Sequence, residues 1–215
     1  MKIVQFKRNI KSGSIRRKVD LIHIIINACE MINLNQFMSL ENIDKLEGDY
    51  PFIIVDDTSR MFLFENNKFF SISFPFQINV DKKQVRFLSM PLTLGLLSIV
   101  SSILNDFDER QSMIELNEKI LDNEEYNALL KDEQQTVEEL IVCLLSYETG
   151  YVRYDYDLEN YEKYKSLGKP DLHPLNHLDI NYTSNATYKI GIKNAIDIKV
   201  FLDCLDPNTD CWFFK

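Results

Sequence analysis

Between residues 52 and 88 the chain passes through five short apolar runs, "FIIV", "MFLF", "FFSISF", "FQINV" and "QVRFL", separated by the turn clusters "DDTS", "ENNK" and "DKK". Runs rich in aromatic and β-branched residues, this short and this closely spaced, read as strands. Asn and Asp at the breaks favour tight reversals, so the segment predicts an antiparallel β-meander.

Helical periods flank it. "MKIVQFKRN" alternates as a short first strand, and Ser14 can cap a helix running to about Asn33. Val19, Ile22, Ile26 and Cys29 form its apolar stripe, with His23 beside them, the usual place of a hydrogen-bonded boundary residue. Pro91 in a first turn opens "PLTLGLLSIVSSIL", an apolar helix expected to pack against the meander and too short to cross a bilayer. One or two short helices fit the acidic stretch 108–132. In "VEELIVCLL", Val137, Leu140, Ile141, Leu144 and Leu145 repeat at helical spacing until Gly150. Strands are expected at 151–157, 173–182 and 187–193, the last two joined by "NYTSNAT". A final helix at about 195–205 carries Ile198, Phe201, Leu202 and Leu205. The fold expected is α+β: an antiparallel β-meander packed with helices, then a C-terminal three-stranded antiparallel element with a capping helix. It forms a single domain over 1–215, with possible subdomains at 1–107 and 108–215.

Alternation along the C-terminal strands gathers the polar residues. Arg153, Asp155 and Asp157 share one strand face; His173, Leu175, His177, Asp179 and Asn181 share another. Pairing of the two strands brings Asp155 and Asp157 beside the histidines. Asp155, Asp157, His173 and His177 are therefore the candidate catalytic residues, with Arg153 and Lys189 as candidate phosphate-binding residues. An Asp beside a His suits general base chemistry; the same groups suit a divalent ion with Arg153 against a phosphate, or a partner-binding face. A network of paired charges on a solvated sheet face accounts for them equally well. No metal site is assigned, because His173 and His177 lie ~13 Å apart if both belong to one strand, unless Pro174 or Leu175 bends the chain.

Other chemistries find little support. There is no G-x-S-x-G elbow and no Gly-rich phosphate loop. Asp56, Asp57 and Glu65 with Lys68 resemble a nuclease set but stand where turns need carboxylates. Cys29, Cys143, Cys204 and Cys211 have no paired spacing and read as reduced thiols; Cys211 beside Asp210 is a nucleophile on composition alone. No cofactor is indicated. The formal net charge of −9 disfavours general nucleic-acid affinity without excluding it. That charge is uneven: seven basic residues lie within 1–20, and twelve Asp or Glu within 106–141. Such runs are ordinarily solvated faces. With no signal-peptide pattern and no membrane-length apolar run, a cytoplasmic protein is expected.

"RYDYD" at 153–157, "HPLNHL" at 173–178, "YKIGI" at 188–192 and the terminal helix with Phe201 together resemble a bacterial family of unknown function, numbered 2290. Its small proteins carry an R-x-D-[FY]-D strand, an H-P-x-x-H-L stretch, a basic residue leading into a strand and a final Phe-containing helix. The likeness begins at about residue 151, and Lys189 stands where the family pattern has Arg. It implies a bacterial cytosolic protein among accessory proteins of antiphage defence or toxin–antitoxin systems. Two functions follow as expectations. One is a non-enzymatic component binding another protein of the same operon; the other is a phosphodiester-cleaving hydrolase or nuclease, acting on RNA or DNA through the Asp/His cluster.

Overall fold

A computed structural model describes residues 3–7, 15, 17–46, 52–55, 57–65, 67–105, 107–108, 110–180 and 188–210. In chain order the elements are β1 (Ile3–Phe6), α1 (Lys18–Asn33), β2 (Phe37–Leu40), β3 (Phe52–Val55), β4 (Arg60–Glu65), β5 (Lys68–Ser73), β6 (Gln77–Asn79), β7 (Gln84–Phe87) and β8 (Met90–Pro91). There follow α2 (Leu94–Asn105), α3 (Met113–Leu121), α4 (Glu124–Asn127), α5 (Lys131–Ser146), β9 (Val152–Tyr156), α6 (Leu158–Ser166), β10 (Asn176–Ile180), β11 (Tyr188–Ile192) and α7 (Ile198–Asp203). The fold is α+β, and no helix among the described residues is long and apolar enough to cross a membrane.

The chain divides into two compact units, one built from Met1–Asn9, Met38–Phe74 and Thr149–Lys215, the other from Ile10–Phe37 and Pro75–Glu148. This division is interleaved and does not fall at 107/108.

The first unit holds an eight-stranded sheet in the order β11-β10-β9-β5-β4-β3-β1-β2. All of its described residues on β1 and β3 are buried, which is why these strands are apolar without alternation. One sheet face carries Ile53, Val55, Phe62, Phe64, Tyr154 and Leu178, and α7 packs there through Phe201, edge-on to Phe62. The expected three C-terminal strands and capping helix are all present. They continue a larger sheet, because β9 pairs with β5 in the register Lys68↔Asp155 and Phe70↔Arg153.

The five apolar runs all become strands, yet they do not form one meander. β3, β4 and β5 follow one another in the large sheet, while β6 and β7 join β8 in a separate three-stranded sheet.

The chain re-enters the large sheet at a tight joint. Ser73 N–H donates to the Thr149 carbonyl at 2.8 Å, and Arg60 donates to the Gly150 carbonyl at 2.6 Å and to Ser71 Oγ at 3.0 Å. Gly150 has φ +51°, and a Cβ there would lie 3.0 Å from Ser73 Oγ and 3.2 Å from an Arg60 guanidinium nitrogen. Gly150→Ala is therefore expected to destabilise the protein by about 1–2 kcal/mol, the usual penalty for an L-residue in left-handed backbone. Urea unfolding of the two proteins checks this; equal midpoints would refute it.

The second unit is mostly helical. α1 packs on α2 and α5, and α2 on α5, so α2 lies among helices where the sequence reading placed it on the meander. Pro91 lies in β8, and α2 begins three residues later, where Thr93 Oγ1 accepts from Leu96 N–H at 3.2 Å. Lys18 donates to the carbonyls of Leu145 and Tyr147 at 2.6 and 2.7 Å, satisfying backbone acceptors at the end of α5. Asn33 similarly joins α1 to the small sheet, donating to Leu92 O and accepting from Val85 N–H. His23 is half-buried with Ser101 Oγ 3.5 Å from its Nδ1, the boundary role its position suggests. Ser112 and Glu115 form a reciprocal cap at the start of α3. Ser14, Asp56, the 181–187 turn and Cys211 lie outside the described residues.

Candidate functional site

β9 and β10 pair antiparallel with His177 opposite Asp155 and Asp179 opposite Arg153. The alternation of both strands thus gathers the four polar side chains on one face, while Tyr154 and Leu178 enter the apolar core on the other. That polar face is not solvated. Asp155, His177 and Asp179 are 2%, 1% and 4% exposed.

Burial of this kind requires compensation, and Arg153 supplies most of it. Its Nε donates to Asp155 Oδ2 at 2.7 Å and its Nη2 to Asp179 Oδ2 at 2.6 Å. Expected as a phosphate ligand, Arg153 instead bridges two aspartates. Burial raises the Asp155 pKa, but the His177 hydrogen bond and the charges of Arg153 and Lys68 outweigh it and hold the carboxyl below its usual range. The Arg153 guanidinium, despite burial, is held above its ordinary value by Tyr151 and the two aspartates.

His177 has a defined tautomer. Its Nδ1 is 2.9 Å from the Pro174 carbonyl, which can only accept, so the proton is on Nδ1 and that N–H donates. Its Nε2 faces Asp155 Oδ2 at 3.5 Å.

The two histidines meet after all. β10 begins at Asn176, and His173 lies before it, at the end of a 3-10 turn over Pro170–Leu172. The bend at 174–175 places the imidazoles 4.9 Å apart, edge to face, where a continuous strand would separate them. Gly191 permits the bend. Pro174 lies so close over it that a Cβ at 191 would be 3.0 Å from the proline Cγ.

His173 forms the outer layer. It stacks on Tyr164 of α6, and its Nε2 lies 3.3 Å from Lys189 Nζ and 3.6 Å from Asp157 Oδ2. Because Lys189 can only donate, Nε2 is the acceptor. Burial and the Lys189 charge lower the His173 pKa against the opposing pull of Asp157. Asp157 also caps α6, accepting from the Asn160 backbone at 3.1 Å and from its side chain at 2.8 Å. Burial raises the Asp157 pKa, but these bonds outweigh it and hold the carboxyl low.

All six residues singled out from the sequence therefore lie in one network: Asp155 and His177 inside, Arg153 bridging, and Asp157, His173 and Lys189 towards the surface. Asp179, which alternation put on this face without a role, is an equal member. Lys68, which the sequence places among turn residues, also joins the network. It reaches Asp155 Oδ1 at 3.9 Å from β5, through a pairing with no local sequence signal. Glu65, the last residue of β4, stands opposite Lys68 in the β4–β5 pairing, and Asp57 precedes β4.

No family model matches the chain, and neither the curated proteins nor the solved structures compared with it contain a match.

Proposed function

We propose that the protein hydrolyses a phosphodiester bond, with His173 as the base that activates water. The supporting observation is the outer layer of the cluster, an imidazole nitrogen lone pair flanked by the Lys189 ammonium at 3.3 Å and the Asp157 carboxylate at 3.6 Å. Lys189 is exposed and free to turn to a phosphate oxygen, which uncovers His173 Nε2. The water oxygen bonds to phosphorus while Nε2 takes one of its protons. The bond from phosphorus to the leaving oxygen breaks, and that oxygen keeps the electron pair and is reprotonated by the imidazolium. Asp157 stabilises that imidazolium in between. Products are a phosphomonoester and an alcohol. The buried Asp155 and His177 hold the outer layer in place, so variants at those positions disturb the fold as well as activity.

A single-stranded RNA, a single-stranded DNA and bis-p-nitrophenyl phosphate are the substrates to assay. His173→Gln is expected to lower turnover at least ~100-fold, the usual contribution of a positioned acid–base group, and Lys189→Met at least ~100-fold through lost charge stabilisation at the phosphate, both with nearly unchanged melting temperature. Absence of turnover by the wild type on all three substrates overturns the proposal, as does full activity in His173→Gln.

A second reading keeps the non-enzymatic role in bacterial defence implied by the family resemblance. It is favoured by Leu34, Leu88, Met90 and Leu94, large apolar side chains left exposed on segments of the helical unit that Asn33 ties together. Co-purification with an adjacent gene's product, lost in Leu88→Asp, would support this reading over the first.

A further inference from the structure

We infer that Asp155, His177 and Asp179 form a binding site for one divalent first-row transition ion. Each of the three offers a ligand atom, and these atoms lie within 4.8 Å of one another. The inference stands on an imbalance in the hydrogen bonding.

Arg153 takes the Oδ2 atom of each aspartate. The Oδ1 atom of each is buried and has no hydrogen-bond partner. His177 Nδ1–H donates to the Pro174 carbonyl, so Nε2 presents its lone pair whenever the ring is neutral. The interior of the cluster thus combines three acceptors with no donor directed to all of them. Buried polar atoms left in this way are costly, the more so when charged.

A second proton on His177 would not resolve this. It would reach Asp155 Oδ2, at 3.5 Å, and leave both Oδ1 atoms unsatisfied. Lys68 does not resolve it either, being half exposed and 3.9 Å from the nearer Oδ1. A cation held by His177 Nε2 and one oxygen from each aspartate, atoms that lie within 4.8 Å of one another, offsets both buried carboxylates at once. The charge agrees, since two buried carboxylates share one part-buried guanidinium, and the Lys68 ammonium stands half exposed at their edge.

Ligand chemistry selects the ion. Two carboxylate oxygens and one imidazole nitrogen suit Zn²⁺ or Mn²⁺ better than Mg²⁺ or Ca²⁺, which favour all-oxygen sets. The Pro174 carbonyl on Nδ1–H is the outer partner that ligating histidines characteristically have, fixing the ring with Nε2 inward. Bonds of about 2.1 Å place two ligands at most about 4.2 Å apart, so small side-chain rotations complete the site.

The test uses the whole chain, stripped with a chelator, dialysed and titrated by calorimetry with Zn²⁺ and separately with Mn²⁺. One ion is expected to bind per chain, to raise the melting temperature by several degrees, and to bind at least ~10-fold more tightly than Mg²⁺. Asp179→Asn keeps the size of the side chain and is expected to lose at least ~10-fold in affinity. His177→Gln should do the same. Manganese electron paramagnetic resonance of the wild type gives an independent reading should either variant fold poorly. Absence of stoichiometric binding of both ions by the wild type overturns the inference, as does unchanged affinity in both variants when folded. The inference does not rest on the hydrolase proposal: binding without turnover retains the first and removes the second.

Discussion

Arg153→Met is expected to destabilise the protein by about 3–5 kcal/mol, the range for removing one partner of a buried ion pair. Methionine keeps much of the apolar stem but withdraws both donors at once, leaving the two Oδ2 atoms as unsatisfied as the Oδ1 atoms already are. The loss is not that of a surface bridge, because the aspartate side chains are only 3% and 5% exposed. Adding Asp155→Asn and Asp179→Asn to the same background should recover part of the loss by removing the uncompensated charges. Urea unfolding in the presence of a chelator measures both steps without a contribution from bound ion. A loss below about 1 kcal/mol, the range of exposed pairs, would show that water relieves the aspartates and that the cluster is open.

Phe201→Ala should be comparably severe, at about 3–5 kcal/mol, but for the opposite face of the sheet and a different physical reason. Phe201 is fully buried and reaches both Phe62 and Phe69, with ring centroids 6.2 and 5.9 Å away. It is the one fully buried side chain of a helix of six residues, too short to persist without tertiary support. Removing the ring takes away the one fully buried contact of α7, leaving the partly buried Ile198, Val200 and Leu202 and the exposed Lys199–Asp44 pair to hold it. Hydrogen exchange of the α7 amides should accelerate well before global unfolding. Amide protection equal to that of the wild type would refute this.

The elements were legible where a local period existed. Alternation in "YVRYDYD" and "HPLNHLDINY" separated Tyr154 and Leu178 from Arg153, Asp155, His177 and Asp179, and adjacency in the chain brought the aspartates beside the histidines, while the register that sets His177 opposite Asp155 came from the structure. What lay beyond reach was non-local. Nothing near Lys68 announces that its strand pairs with one beginning at residue 152, and nothing in the small runs of 77–87 shows that they leave the first sheet. Burial of the polar face was illegible because alternation reports which residues share a side, whereas burial depends on what covers that side and on charges satisfying one another across strands. The bend at Pro174 has the same character, since its permission is given by Gly191 on a neighbouring strand. Pro91 misled in the other direction: a proline near an apolar helical run fits a first helical turn, but it equally suits a two-residue edge strand.

The joint at Ser73 and Thr149 also bears on how the protein is made. On a ribosome β5 is complete once residue 73 emerges, yet its partner β9 follows only after residues 75–148 have been synthesised. Throughout that interval the Lys68–Ser71 edge offers unpaired backbone groups beside Phe69 and Phe70, a ready template for another nascent chain. Lys68, whose ammonium later approaches Asp155, places a charge on that open edge, so one side chain guards the strand during synthesis and joins the polar cluster once β9 arrives.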